Sequence, residues 1–367
     1  MKATVLLLGP SLQAVSGVST HLHSLLGSRL ATAYALVHFQ VGSEGRAESP
    51  LGRALRVVAS PLQLAAAIVR HRADIVHINC SLNAKSWWRD LAYAAVAKAC
   101  GARVLLQKHG GELDAFARGR LFPALVRRLL RLPDAVVVLS QREREQYLGF
   151  VPGQRIAVIA NGIDLEPFRR YNRPRADPAA PLRLLYVGRL APGKGLAETL
   201  EALAMARAND VRPQLVIAGS GPEEARLRSR VRTLRLESQV SFAGAAWGDD
   251  KARLFSRADV LVLASHSEGL PYALLEAMAA GVVPLVTPVG AIPDVVTPGV
   301  HGRFVAPRDA AALAGALAAL DADRAALVRM SHACRRRVAA SYSLERLAQE
   351  FSALYSTLAP WPASQAG

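Results

Sequence analysis

Short apolar runs punctuate the chain at intervals wide enough to hold a helix between successive runs. In the first half they fall at 4–8, 35–40, 75–78, 104–107, 135–139 and 156–159. Uninterrupted runs of this length read as strands buried on both faces, and their alternation with helical stretches predicts a parallel, doubly wound sheet. The pattern restarts at 182–187, 214–218, 240–243, 260–264 and 283–287. The expected class is therefore α/β, with two Rossmann-like halves at 1–165 and 182–342. Between them, 166–181 is rich in Pro and Arg and has no periodicity, which is linker composition. A last amphipathic stretch, 343–358, carries Leu347, Phe351, Leu354 and Leu358 on one face and is expected to pack back across the domains.

Ligands of open α/β sheets bind outside the carboxyl ends of the strands, so the loops there carry the candidate chemistry. After the run at 182–187 come Gly188, Arg189, Gly193, Lys194 and Gly195. This nearly spells a phosphate-binding loop of nucleoside triphosphatases, but Gly195 stands where Ser or Thr should hold a magnesium ion, which disfavours that class. Arg189 and Lys194 still suit a diphosphate neutralised without a metal; the plain alternative is two solvated cations in a turn. Gly219 and Gly221 follow the run at 214–218 in a Gly-x-Gly turn that lacks the third glycine of a dinucleotide fingerprint. That turn either leads simply into a helix at 223–234 or forms a backbone wall beside a nucleoside.

The most informative stretch runs from Glu268 to Glu276. Pro271 suits a helix start and Gly281 a helix end, so Glu268 is expected in a loop and Glu276 one to two turns inside an apolar helix. The backbone of Gly269, Leu270, Pro271 and Tyr272 at that start would welcome an anion. A buried carboxylate needs a partner. Vicinal ribose hydroxyls would serve Glu276, with a diphosphate at the helix start and a sugar beside Glu268; an arginine elsewhere in the chain is the plain alternative.

Composition narrows the classes without choosing among them. A chain of 367 residues, 51% hydrophobic and 20% charged, is globular and suits two domains. Three dispersed cysteines give neither a disulfide framework nor a metal cluster, which fits a reducing cytoplasm. The apolar run after Lys2 stops at Gly9-Pro10, too short for a signal peptide, and no stretch is a continuous membrane span. The net charge is +16, of which the first 180 residues hold +12. Nucleic acid, an acidic bilayer or an anionic acceptor would each answer that charge. The segment Arg118 to Arg131 has an apolar face beside basic residues, consistent with an anionic membrane surface or with a helix covering the sheet. Trp87-Trp88 divides in the same way between core and acceptor lip. No pattern specifies an oligomer.

Taken together, Gly-Arg-Leu-x-x-x-Lys-Gly at 188–195, Gly-x-Gly-Pro-Glu at 219–223 and Glu-Gly-Leu-Pro-x-x-x-x-Glu-Ala-Met at 268–278 resemble the retaining glycosyltransferases of family GT4. The likeness covers 181–310 closely and includes Gly290-Ala-Ile-Pro-Asp294 and Gly302-Arg-Phe-Val305. It implies a GT-B fold, two facing Rossmann-like domains with a cleft between them. It further implies that Arg189 and Lys194 hold the diphosphate of a nucleotide sugar, UDP- or GDP-linked, that Glu276 takes the ribose, and that Glu268 binds the sugar's hydroxyls, with no metal or other cofactor. The first half is looser. Ser16-Gly17-Val18-Ser19 resembles the family's glycine-rich loop, with Ser in place of the first Gly, so Gly17 is the expected phosphate contact. His109, in Lys108-His109-Gly110-Gly111, resembles the family's histidine that meets the donor sugar, while Asn161-Gly162 reads as structural.

The resemblance implies transfer to an acceptor hydroxyl, in exopolysaccharide, lipopolysaccharide or glycolipid assembly, and the +12 on the first half, which would recruit anionic lipid, points to a lipid-linked or polysaccharide acceptor at the cytoplasmic face, peripheral to the membrane. A non-catalytic nucleotide-binding or assembly subunit of the same fold is the alternative. Nucleic-acid binding rests on charge alone, without a fold motif of that class, and is not expected.

Overall fold

The computed structural model of the chain describes residues 2–14, 16–42, 49–83, 86–111, 113–117, 122–169 and 180–359. They form two compact units. The first takes in the chain up to Gly162 together with the segment from Leu344 onward, and the second runs from Ile163 to Ser343.

Six parallel strands build the first unit: β1 Thr4–Gly9, β2 Ala35–Gln40, β3 Ile75–Ser81, β4 Arg103–Gly110, β5 Ala135–Val138 and β6 Ile156–Val158. They lie in the order β2-β1-β3-β4-β5-β6, so the winding reverses between β1 and β3. Alternate residues feed two cores. Leu6, Leu8, Val76, Ile78, Val104 and Leu106 pack under Leu64 and Ile68 of the Pro50–His71 helix and Tyr93 of the Trp87–Ala99 helix. Val5, Leu7, Leu105 and Val137 pack under Leu22 and Leu25 of the Gly17–Gly27 helix. Because both faces are covered, no strand needs a polar side, which is why each reads as an apolar run.

The C-terminal helix, Leu344–Leu358, returns to this second core. Leu347, Phe351, Leu354 and Leu358 are buried there, each contributing about 1.5–3 kcal/mol. Its Tyr355 hydroxyl lies 2.7 Å from His77 Nδ1 on β3. This face is covered within the first unit.

The second unit holds β7 Arg183–Val187, β8 Gln214–Ala218, β9 Val240–Gly244, β10 Val260–Leu263, β11 Val283–Val286 and β12 Arg303–Phe304, all parallel, in the order β12-β11-β10-β7-β8-β9. Counted within the unit this is 6-5-4-1-2-3, the doubly wound order, with its switch point between β7 and β10. The stretch expected as a linker begins differently: Glu166–Arg169 forms a helical turn whose Phe168 is buried 6.0 Å from the Phe255 ring. Residues 170–179 lie outside the described part.

One open expectation resolves toward the core and another divides. In the Phe122–Arg131 helix, Val126, Leu129 and Leu130 are buried, and Arg127 donates to the Phe150 carbonyl at 3.0 Å, so its apolar face covers the sheet. Arg118, Arg120 and Leu121 lie outside the described residues. Trp87 is fully buried, whereas Trp88 is 55% exposed.

Candidate functional site

The loops after β7 and β10 flank the switch point of the second unit. Gly188 and Gly219 end neighbouring strands, and their turns touch: a side chain on Gly219 would run into the Gly188 carbonyl. The β10 loop is held from both sides. His266 donates its backbone N–H to the Gly193 carbonyl at 2.8 Å, and its Nε2 lies 2.8 Å from Glu198 Oε1 in the first turn of the Leu196–Ala208 helix. On the other side, Gly290 at φ 58° lies so close to the Glu268 carbonyl that any side chain would collide with it. The Ala291 N–H donates to the Gly269 carbonyl at 2.9 Å.

This clamp brings Lys194 and Glu268 together, with Nζ 2.7 Å from Oε1. An ammonium has three donors, so two remain for another anion. The helix that follows is Tyr272–Ala279, one residue later than the sequence suggested, with Pro271 as N-cap, a residue whose side chain makes no capping hydrogen bond. Leu270 and Tyr272 are buried. Arg189 is exposed, and among the described residues no ion pair involves it; Tyr186 donates to its carbonyl at 2.9 Å.

Glu276 lies in the middle of that apolar helix and is 8% exposed. The partner its burial demands is Lys251, from the Gly248–Arg257 helix after β9. Lys251 Nζ stands 2.7 Å from Oε1, with hydrogen-bond geometry, and 2.6 Å from Oε2, without it. Among the described residues the buried Oε2 receives no hydrogen bond. The arginine alternative is thus replaced by a lysine whose ammonium lies against both carboxylate oxygens.

In the first unit, β4 extends to Gly110, so His109 stands at a strand end and is only partly buried. Its neighbour Lys108 turns the other way and makes a buried pair with Glu143, 2.5 Å from Oε1. His109 Nε2 lies 2.7 Å from Asn79 Oδ1, and Asn79 Nδ2 donates to the Leu8 carbonyl at 2.9 Å. A carbonyl only accepts, so this network turns Asn79 Oδ1 toward His109, puts the proton on Nε2 and leaves Nδ1 as an acceptor in the neutral ring. His21, on the helix that starts at Gly17, stacks edge-on at 4.7 Å and so ties that loop to His109. Gly17 itself is exposed, and Ser16 caps its helix by accepting from the Ser19 N–H.

Burial, then the nearby His21, His77 and Lys108, hold the His109 pKa well below the ordinary histidine range, so the ring is neutral near pH 7. Lys251, His266, Asn79 and His21 are contributions that motif reading did not single out. Among the described residues no three His, Cys, Asp or Glu side chains converge as metal ligands would.

Two family models match the chain, "Glycosyl transferases group 1" over residues 169–337 and "Glycosyltransferase Family 4" over 15–167. Glycogen synthase of Mycobacterium tuberculosis is 35% identical over 68% of this chain and 60% of its own length. The GDP-mannose:cellobiosyl-diphosphopolyprenol alpha-mannosyltransferase of Xanthomonas campestris is 30% identical over 59% of this chain and 56% of its own. The chain thus spans less than two thirds of either curated relative. The solved structure of Anabaena HepE in complex with UDP-glucose superposes with a TM-score of 0.77, covering 96% of this chain and 99% of that one at 18% identity, a likeness of fold.

Proposed function

The chain belongs to the glycosyl transferases group 1 family with a GT-B fold, and from that premise we propose that it moves a sugar from a nucleotide diphosphate to an acceptor hydroxyl, with retention and without a metal. The observation that carries this reading is Glu276: a carboxylate inside an apolar helix, neutralised by the Lys251 ammonium at 2.7 Å from Oε1 and 2.6 Å from Oε2, whose remaining lone pairs suit a pair of vicinal ribose hydroxyls. Lys194 and the start of the Tyr272–Ala279 helix would then meet the diphosphate, with Arg189 approaching from solvent and the glycine turns at Gly188, Gly219, Gly221 and Gly269 giving it room. Glu268 would accept from a sugar hydroxyl, His109 would accept one at Nδ1, and Gly17 would face phosphate.

As the bond from the anomeric carbon to the phosphate oxygen breaks, negative charge grows on the leaving diphosphate. Fixed cations stabilise it more in the transition state than before. The leaving oxygen, on the face where the acceptor arrives, takes the acceptor's proton while its oxygen bonds to the anomeric carbon; this accounts for retention without an enzyme nucleophile. A UDP- or GDP-sugar is the proposed donor, by likeness to HepE bound to UDP-glucose and to a GDP-mannose-dependent relative. The proposed acceptor is a lipid-linked or polysaccharide intermediate, by likeness to the relative that acts on a diphosphopolyprenol.

Calorimetry and thermal shift test the donor site. UDP or GDP at 100 times its dissociation constant should stabilise the protein by about 2.7 kcal/mol. Glu276→Ala should weaken the ribonucleotide by about 1.5–3 kcal/mol, the value of hydrogen bonds to a charged group, and a 2′,3′-dideoxy analogue much less. Equal losses on both would refute the ribose assignment. Turnover by none of the candidate donors, with binding intact, would favour the non-catalytic alternative.

We also propose that the protein works in the cytoplasm with its first unit on an anionic membrane, through a different helix from the one the sequence suggested. Among the described residues no helix is long and apolar enough to cross a membrane. Leu55, Val58, Leu62 and Val69 of the Pro50–His71 helix are all more than half exposed and fall on one stripe, opposite the buried Leu64 and Ile68. No acidic residue occurs from 50 to 72, while Arg56, Arg70 and Arg72 flank the stripe. Sedimentation with acidic liposomes should show binding that falls with salt, and Val58→Glu with Leu62→Glu should abolish it. Binding indifferent to acidic lipid and ionic strength would refute this placement.

A further inference from the structure

We infer that His266 is a positioning residue for the donor site: it fixes both ends of the segment 193–198 and so holds the Lys194 ammonium where the diphosphate would arrive. The inference rests on the phosphate reading of Lys194 and adds to it a pair, His266 with Glu198, that lies outside the motif. Lys194 has a glycine on either side, Gly193 at φ 80° and Gly195 at φ 71°. A glycine-flanked loop has many conformations open to it and a lysine stem has many more, so a fixed ammonium needs restraint from elsewhere.

Three contacts from the β10 loop supply it. The His266 backbone N–H donates to the Gly193 carbonyl at 2.8 Å. Its ring Nε2 lies 2.8 Å from Glu198 Oε1, and because a carboxylate only accepts, the nitrogen donates. Two residues further on, Glu268 Oε1 receives the Lys194 ammonium at 2.7 Å. Gly193 and Lys194 thus close a ring with His266 and Glu268, and the histidine side chain carries the tie onward to the first turn of the Leu196–Ala208 helix. A single bond at Gly193 would let the segment pivot about its glycines, whereas a second attachment at Glu198 removes the pivot. The imidazole also lies under the loop, since a side chain on Gly193 would stand 3.8 Å from its Nδ1. With the His266 and Glu198 side chains 24% and 20% exposed, the pair is better shielded than a solvated surface contact.

The test is titration calorimetry with UDP, GDP, uridine and guanosine on the wild type, His266→Ala, His266→Gln, Glu198→Ala, Glu198→Gln, Lys194→Ala and the Lys194→Ala/His266→Ala pair. The nucleoside diphosphate that the wild type binds should lose about tenfold in affinity in His266→Ala and in Glu198→Ala, a usual coupling for contacting residues, while its nucleoside binds as before. His266→Gln, whose amide N–H can take the place of the Nε2 donor, and Glu198→Gln, which keeps an acceptor, should each recover most of the loss. In the Lys194→Ala background His266→Ala should cost nothing further, because the residue acts through the lysine. Undiminished diphosphate affinity in His266→Ala, an equal loss on the nucleoside, or the same tenfold loss with Lys194→Ala present would overturn the inference while leaving the donor site standing. A wild type that binds neither UDP nor GDP would overturn the donor-site reading and this inference with it.

Discussion

Lys194→Ala should lower turnover about 10²–10³-fold, the usual cost of removing one preorganised donor from a developing anion. Lys194 Nζ is 2.7 Å from Glu268 and 29% exposed, in a loop whose Gly193 carbonyl accepts from the His266 N–H and whose Gly195 lies against the Ala264 carbonyl just past β10. Of its three donors one is engaged, so a diphosphate can join the pair without dismantling it. Truncation removes the cation and also leaves Glu268, itself 13% exposed, without its counter-ion. Because the proposed role lies in the transition state, the loss belongs in kcat and kcat/KM together. A change confined to KM would mean that Lys194 only binds substrate. Lys194→Arg should recover little, since a planar fork does not take the place of a compact ammonium on a flexible stem.

The sheets of both units were legible because parallel strands covered on both faces must be apolar throughout. Val5-Leu6-Leu7-Leu8 shows this: all four are fully buried, shared between two cores. β12 was not, since Arg303–Phe304 is a two-residue edge strand, partly exposed, with no run to read. The Glu166–Arg169 turn hid in a Pro- and Arg-rich stretch because its one buried anchor, Phe168, has no periodic companions. The amphipathic Phe122–Arg131 helix could be read two ways because an apolar face shows that something must cover it without naming the cover.

At the candidate site, the residues within one loop were readable and those between loops were not. The spacing of Glu268 and Glu276 and the turn chemistry around Pro271 placed both acids correctly relative to the helix. The need for a partner at Glu276 also followed from burial alone. That the partner is Lys251 depends on how the chain crosses from β9 at the sheet edge to β10 at its centre, a tertiary relation that no local pattern encodes. His266–Glu198 and His109–Asn79 are likewise contacts between the ends of neighbouring elements, across 68 and 30 positions. The exposed stripe on Pro50–His71 escaped for a different reason: a helix apolar on two opposite faces looks, in sequence, like a fully buried one.

Acid should unfold the first unit well before carboxylate titration would account for it. His21 and His77 are fully buried; burial lowers His21 to about 4, against a hydrogen bond to Gln107, and lowers His77 to about 3 with help from His21. Unfolded histidines titrate near 6.5. The folded pKa values are therefore the lower ones, and the unfolded chain binds more protons at every pH between the two. Stability contributed by the neutral rings is complete above about 6.5 and is lost as pH falls toward 4, at about 1.4 kcal/mol per pH unit for each ring once the unfolded form is charged. With His109, which burial also holds low, three rings together approach about 4 kcal/mol per unit, a large fraction of the 5–15 kcal/mol typical of a domain. Native-state hydrogen exchange at the amides of β1 and β3, between pH 6.5 and 5, should show opening free energies falling with that slope. His21→Phe keeps an aromatic ring against Phe351, His77 and His109 but removes one of three titrating sites, and should flatten the slope by about a third. An opening free energy that stays level from pH 6.5 to 5 would mean that the histidines are charged in the folded protein, and the neutral, acceptor-bearing His109 deduced from Asn79 would lose its support as well.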